Sequence, residues 1–420
     1  MRRVIWVIRC AMTILSIALC SACSTPNGTT GEAPKLVLPQ APPPVALSPP
    51  PALASPPPIF AAPPFAVSAY LPDNVAEVSV AKGTTPEAFI YPVLFGTTRK
   101  PVLNGVGFSD EREEFLHYGR VLVQIPKNHK TGSLGSRWGT LTKTDPLLSI
   151  SSYQLVDDEA HFLDMAEHEL PPVTGPENSY VVVFIHGYNN SFEEAALRAA
   201  QLGVDLDVPS NDMFLFSWAA HDGNILKYPF DEATIDASEV YLRSYLATVA
   251  RAAHGRKIHI IAHSMGNRAL LRVISASLMN VSVDQQIHFG QIILAAADVD
   301  VDLFTQLAPN YVKVSDRTTV YLSPYDFAVA ASSRIHDYPR VGCASIPRVR
   351  VPQIDNIVST IPEDFPAHAY FAESIPILQD IKNLILRNKP SREGATWAKI
   401  NDYWIVGGPI TKHADCLSSL

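Results

Sequence analysis

Charge is scarce in this chain, and so is cysteine. Only 18% of the 420 residues are Asp, Glu, Lys or Arg; acidic residues outnumber basic ones 41 to 33, and the formal net charge is -8. No long Lys/Arg run breaks that balance, which excludes a nucleic-acid partner, because such a partner demands a basic surface that displaces counterions. No H-E-x-x-H occurs, and His259 and His263 stand on a strand and its end, where four-residue spacing does not bring their rings together. No metal site is expected. No internal repeat is evident. What the chain does have is 47% apolar residues, enough for a substantial core.

The five cysteines form two groups, Cys10, Cys20 and Cys23 near the start and Cys343 and Cys416 near the end. Arg2, Arg3 and Arg9 precede the apolar run Ala11 to Leu19, which is too short to span a bilayer comfortably but suits the core of a secretory signal. Cys20-Ser21-Ala22-Cys23 resembles a bacterial lipoprotein signal, in which cleavage before a cysteine leaves it to be acylated. Cys20 stands where that pattern usually has Leu, so cleavage after Ala22 by an ordinary signal peptidase and an uncleaved anchor stay open. Ser24 rather than Asp follows Cys23, which in such lipoproteins implies an outer-membrane address. From there to Pro64 the chain holds 14 of its 35 prolines and almost no charge. Such composition favours extended polyproline II, at about 3.1 Å per residue a stalk on the order of 100 Å long. The expected layout is a signal at 1-22, a stalk at 23-65, an N-terminal extension at 66-179, a core at 180-390 and a tail at 391-420.

Structure resumes near Ala66. Tyr91 to Thr97, Gly119 to Ile125 and Leu147 to Leu155 read as strands, with the charged cluster Asp110 to Glu114 as a solvated turn between the first two. From Tyr180 strands and helices alternate, which implies a parallel sheet covered on both faces. The expected strands are Tyr180 to Ile185, Met213 to Ser217, Lys257 to Ala262, Gln291 to Ala296 and Thr319 to Ser323. Helices are expected at Phe192 to Leu202, Ile235 to Ala253, Gly266 to Met279 and Ile375 to Leu386. The class is α/β.

In Lys257 to Ile274 a buried strand turns straight into a helix at Ser264. So tight a turn needs small residues two before and two after the serine, here Ala262 and Gly266, and it leaves an exposed hydroxyl at a helix N-terminus. The Met265 N-H points to where a carbonyl oxygen attacked by Ser264 would gain charge. His186-Gly187-Tyr188-Asn189 follows an earlier strand and suits the other half of an oxyanion hole, with Gly187 allowing close approach and Tyr188 or Asn189 donating. A serine nucleophile needs a histidine base and a carboxylate, and in folds that carry the serine on such a strand-turn-helix they follow it in the order acid then histidine. Asp326, after one apolar strand, and His368 meet that order. Asp298, one strand earlier, competes as the acid, and His336 and His413 compete as the base. The bland role for either aspartate is a helix cap. The loop Trp218 to Asp236 follows a strand at the same edge, and lines the acyl pocket or is an ordinary loop with Trp218 and Tyr228 as local core.

The segments V-F-I-H-G-Y-N-N, F-L-F-S-W, A-H-S-M-G-N-R, A-A-A-D-V-D and H-A-Y-F resemble a bacterial α/β-hydrolase family of unknown function described as esterase- or lipase-like. The likeness runs from about Tyr91 to Leu386. It implies an α/β-hydrolase fold, a mostly parallel sheet covered by helices on both faces with an N-terminal β-rich extension, and a serine hydrolase acting on a small-molecule carboxylic ester without a cofactor. Ala262 departs from the commoner G-x-S-x-G, and the stalk is an addition. A thioesterase or amide hydrolase would use the same residues, and a non-catalytic envelope lipoprotein binding a partner is the rival from another class. Cys343 and Cys416 are expected to form a disulfide in an oxidising compartment.

Overall fold

The computed structural model describes residues 78-79, 87-102, 107-136, 146-170, 173, 175, 179-223, 227-280, 286-343, 351-362 and 367-408. The expected signal and stalk, Cys23, His413 and Cys416 lie outside them. In chain order the strands are β1 (Val78–Ser79), β2 (Ala88–Pro101), β3 (Phe108–Pro126), β4 (Ser149–Val156), β5 (Tyr180–Ile185), β6 (Met213–Ser217), β7 (Lys257–His263), β8 (Phe289–Ala295), β9 (Ser315–Leu322), β10 (Ile354–Ser359), β11 (Trp397–Ile400) and β12 (Tyr403–Val406). They form one 12-stranded sheet in the order β1-β4-β3-β2-β6-β5-β7-β8-β9-β10-β12-β11. The pairings from β2·β6 to β10·β12 are parallel, while β1 to β4 and the β11 edge are antiparallel.

A parallel strand covered on both faces must be apolar throughout, and β5, β6 and β8 are buried at every position. Their pleat divides the interior into two cores. From β5, Val181, Val183 and Ile185 enter one, while Tyr180, Val182 and Phe184 enter the other. The first core is closed by α1 (Glu159–Glu169), α3 (Tyr228–Ala237), α4 (Glu239–Ala252), α5 (Gly266–Asn280), α6 (Val301–Leu307) and α7 (Pro309–Val314). The second is closed by α2 (Phe192–Asp205), α8 (Phe327–Ile335), α9 (Tyr370–Glu373) and α10 (Ile375–Arg387). A capping box starts α2: Ser191 Oγ accepts from Glu194 N at 3.1 Å, and the Glu194 carboxylate accepts from Ser191 N at 3.0 Å. Among the described residues no helix is long and apolar enough to cross a membrane.

Several expected bounds shift. The single helix expected from Ile235 to Ala253 is two helices, α3 and α4, broken at Ser238, whose Oγ donates to Thr234 O at 2.7 Å. Asp110 to Glu114 is not a turn but part of β3; these charges are solvated in a hairpin arm held by β2, where Lys100 pairs with Glu111 at 2.9 Å. The expected tail joins the sheet through β11 and β12. Strand β10 was not foreseen, because Asp355, Asn356 and Ser359 leave only Ile354, Ile357 and Val358 as apolar positions. Strand β7 stands mid-sheet, and the C-terminal ends of the parallel strands form the edge on which α/β folds place their sites.

Candidate active site

Strand β7 ends at His263 and α5 begins at Gly266, so Ser264 lies in the expected tight turn. Its φ of 52° falls in the left-handed region, a strained setting for a residue with a Cβ. Surrounding hydrogen bonds enforce it: Ser264 N donates to Ala295 O at 2.9 Å, Asp298 N donates to Ser264 O at 3.2 Å, and Asn267 Nδ2 lies 3.1 Å from each of the carbonyls of Ala262, Ser264 and Ala295. The small residues are explained by space. A Cβ on Gly266 would sit 2.6 Å from His186 O, and one on Gly187 would sit 2.6 Å from Ser264 Cβ. The His-Gly turn therefore packs directly on the serine.

His368 follows Ala367, itself at a φ of 54°. Its Nδ1 lies 2.8 Å from Asp326 Oδ2 and 2.9 Å from Oδ1, which places the ring proton on Nδ1 and leaves Nε2 as acceptor. Burial alone would lower the imidazole's proton affinity, but the charge and hydrogen bond of Asp326, with a smaller contribution from Asp298, hold its pKa above the ordinary 6.5. Asp326 also caps α8, its Oδ1 accepting from Ala328 N at 3.1 Å and Val329 N at 3.0 Å. His263, the residue before the serine, donates from Nε2 to His368 O at 3.1 Å, and the two rings lie 4.5 Å apart. Burial, reinforced by the nearby His368, pushes its pKa well down, so His263 is a neutral brace. No hydrogen bond joins Ser264 Oγ to His368 Nε2.

Residues 166-356 match a family model described as "Alpha/beta hydrolase of unknown function (DUF900)". The chain has an α/β-hydrolase fold. That match and the fold together support a hydrolase. It takes in Ser264, Asp298 and Asp326 and ends before His368. Among curated proteins no match is found.

Within this fold the two candidate acids have different company. Asp298 accepts from Tyr228 Oη and Ser332 Oγ, each at 2.5 Å, and lies 3.6 Å from Arg340 Nε. It does not take the bland role of capping the following helix; Asp300 does, accepting from Asp302 N and Leu303 N. The rival base His336 is tied by Nε2 to Glu232 at 2.8 Å and by Nδ1 to Ser332 O at 2.8 Å. A cleft of about 270 Å³ beside Asp298 is lined by Arg268, Arg272, Arg340 and His336. Arg268 and Arg272 are occupied by ion pairs to Glu232, Asp236 and Glu239.

Met265 is fully buried behind the serine, Asn189 adopts a left-handed φ of 56°, and the Tyr188 ring meets Tyr228 edge-on at 5.2 Å. Trp218 stacks on His186 at 5.4 Å and donates from Nε1 to His186 O at 3.0 Å, so it is local core and the back of this loop. Tyr228 is likewise largely buried. Sequence reasoning missed four residues here: Arg99, Asn267, the His263 brace, and His221, whose Nδ1 lies 2.6 Å from Asp231. Arg99 and His221 stand in no spacing that separates them from an ordinary strand or loop residue, whereas His263 and Asn267 lie within A-H-S-M-G-N-R, the segment around the serine. Among the described residues no three His, Cys, Asp or Glu side chains converge as metal ligands. Cys343 is buried and disulfide-bonded.

Proposed function

We propose that this protein is a serine hydrolase of carboxylic esters, with Ser264 as nucleophile, His368 as general base and Asp326 as the acid that orients it. The observation carrying the reading is the buried Asp326 carboxylate on His368 Nδ1, beside a strained serine turn. His368 Nε2 takes the Ser264 proton as Oγ attacks the ester carbonyl. The N-H of Met265 and one from Tyr188 or Asn189 stabilise the oxyanion. Collapse expels the alcohol, which takes its proton from His368, and leaves an acyl-serine; water activated by the same imidazole then releases the acid. The test is the detergent-solubilised full chain on p-nitrophenyl esters of graded chain length, with a thioester and an anilide alongside. The expected result is ester turnover exceeding both. Faster thioester or anilide turnover would reassign the leaving group, and no turnover of any would favour a non-catalytic binding protein.

The enzyme is proposed to sit in the cell envelope, lipid-anchored at the outer membrane through Cys23. Globomycin, which blocks lipoprotein signal peptidase, should cause precursor to accumulate, and Cys23→Ala should free the protein from membranes. If neither occurs, the anchor is not a lipid on Cys23. The disulfide partner of Cys343 is proposed to be Cys416. Peptide mapping of unreduced protein should find the two joined, and Cys416→Ser should expose one alkylatable thiol at Cys343. The chain-entropy relation puts such a link at about 4 kcal/mol. A different cysteine joined to Cys343 would refute the pairing.

A further inference from the structure

Arg99, at the C-terminal end of β2, is 1% exposed, and among the described residues it forms no ion pair with a carboxylate. Its guanidinium instead donates from Nε to Ser217 Oγ at 3.0 Å, from one terminal nitrogen to Ala220 O at 3.0 Å and Ser109 O at 3.3 Å, and from the other to Asn190 O at 2.6 Å. A buried charge is costly; carbonyls and a hydroxyl offset part of that cost, and the carboxylates of Glu193, Asp231, Asp110 and Asp222 offset more of it without touching the guanidinium. Fold stability alone would be served as well by an apolar side chain. The placement therefore calls for a use.

The hydrogen bonds give a direction. Gly187 O can only accept, so His186 Nδ1, 2.8 Å away, carries the ring proton. His186 Nε2 is then an acceptor and takes the Ser217 hydroxyl proton at 3.1 Å, while Ser217 Oγ accepts from Arg99 Nε. Burial and the Arg99 charge push the His186 pKa down to about 3, which holds this neutral tautomer. Burial lowers Arg99 to about 10, opposed by the charges of Glu193, Asp231, Asp110 and Asp222, so it stays charged at neutral pH. The chain Arg99, Ser217, His186, Gly187 O fixes the plane of the Gly187-Tyr188 peptide. In a trans peptide the Tyr188 N-H points opposite that carbonyl, away from the His186 ring. At the far end of the loop the Arg99 bond to Asn190 O fixes a second peptide, and at the near end Trp218 holds His186 O.

We propose that Arg99 is a positioning residue for the oxyanion site: through Ser217 and His186, and through its bond to Asn190 O, it sets the loop Gly187 to Asn190 against Ser264. This rests on the Ser264 hydrolase reading above. Lys would keep the charge but not the fork that reaches Ser217, Ala220 and Asn190 together. A loop held only for stability would affect all bound states alike, whereas this role acts on the transition state.

The experiment compares Arg99→Lys, Arg99→Met and Ser217→Ala in the full chain, with folded sites counted by fluorophosphonate titration. The readouts are kcat and KM on the best p-nitrophenyl ester and affinity for an alkyl boronic acid, which forms a tetrahedral adduct on the serine. Arg99→Lys should lower kcat per titrated site by about 10²-fold or more, the loss known for one oxyanion donor, with KM within a few-fold and boronate affinity falling in parallel. Ser217→Ala keeps the charge and breaks the chain, so it should lose about 10-fold in the same two readouts. Arg99→Met should lose at least as much as Arg99→Lys; if it does not fold, the other two variants decide. Kcat per site and boronate affinity within two-fold of the parent in both Arg99→Lys and Ser217→Ala overturn the inference while leaving the hydrolase reading standing. Hydrolysis that survives Ser264→Ala overturns that reading and this inference with it.

Discussion

Ser264→Ala should lower ester turnover by about 10⁶-fold, the cost of losing a serine nucleophile in a well-studied protease, and should abolish fluorophosphonate labelling. The thermal transition should stay nearly in place, because the Ser264 contacts seen here run through its backbone, to Ala295, Asp298 and the Asn267 side chain. Alanine keeps the same strained φ of 52°. Ser264→Gly should therefore melt higher than Ser264→Ala, since glycine occupies that region without steric cost. Full turnover in folded Ser264→Ala would remove the enzyme assignment.

Asp326→Asn should lower turnover by about 10⁴-fold while leaving the fold intact. Asn is as good a helix cap as Asp, so the bonds to Ala328 N and Val329 N that start α8 have a replacement. What Asn cannot supply is the charge on His368. The wild-type base is active when neutral, so kcat/KM should rise with pH through a midpoint above 6.5, and removing the carboxylate should move that midpoint down. Stability runs the other way. A histidine whose folded pKa is raised stabilises the fold fully below its unfolded value near 6.5, and that contribution is lost as pH rises through the folded value. Asp298→Asn should act differently: one of two buried acceptors for Tyr228 and Ser332 becomes an amide nitrogen, so the melting temperature should fall more than turnover per folded site. A larger catalytic loss in Asp298→Asn, with unchanged stability, would transfer the acid's role to it.

The class of fold was legible because local pattern carries it. Strand β5 is apolar without a break, the strand before Ser264 alternates and then runs apolar through Ile260, Ile261 and Ala262, α10 repeats Leu378, Ile381, Leu384 and Ile385 at helical spacing, and a close-packed strand-turn-helix tolerates only small residues where Ala262 and Gly266 stand. The order of serine, aspartate and histidine along the chain was equally open to reading. The edges were not: β11 and β12 are four residues each, and their place in the sheet depends on β10 lying beside them rather than on any periodicity of their own.

Sequence favoured Asp326 over Asp298 as the partner of His368 only by strand count, because both follow apolar strands at the same edge; the contact itself is seen only in the structure. Their difference is made by residues far along the chain, Tyr228 and Ser332, which occupy Asp298, while the turn at Ala367 brings His368 onto Asp326. Arg99 makes the same point more strongly, since in G-T-T-R-K it looks like a surface cation. Only the parallel pairing of Thr97 with Ser217 draws it under the loops that end in Asn190 and Ala220. Periodicity and turn chemistry are properties of neighbours in sequence, so the chain alone determines them. The partner a buried charge or carboxylate meets is a property of neighbours in space, and that was decided by the packing of the sheet.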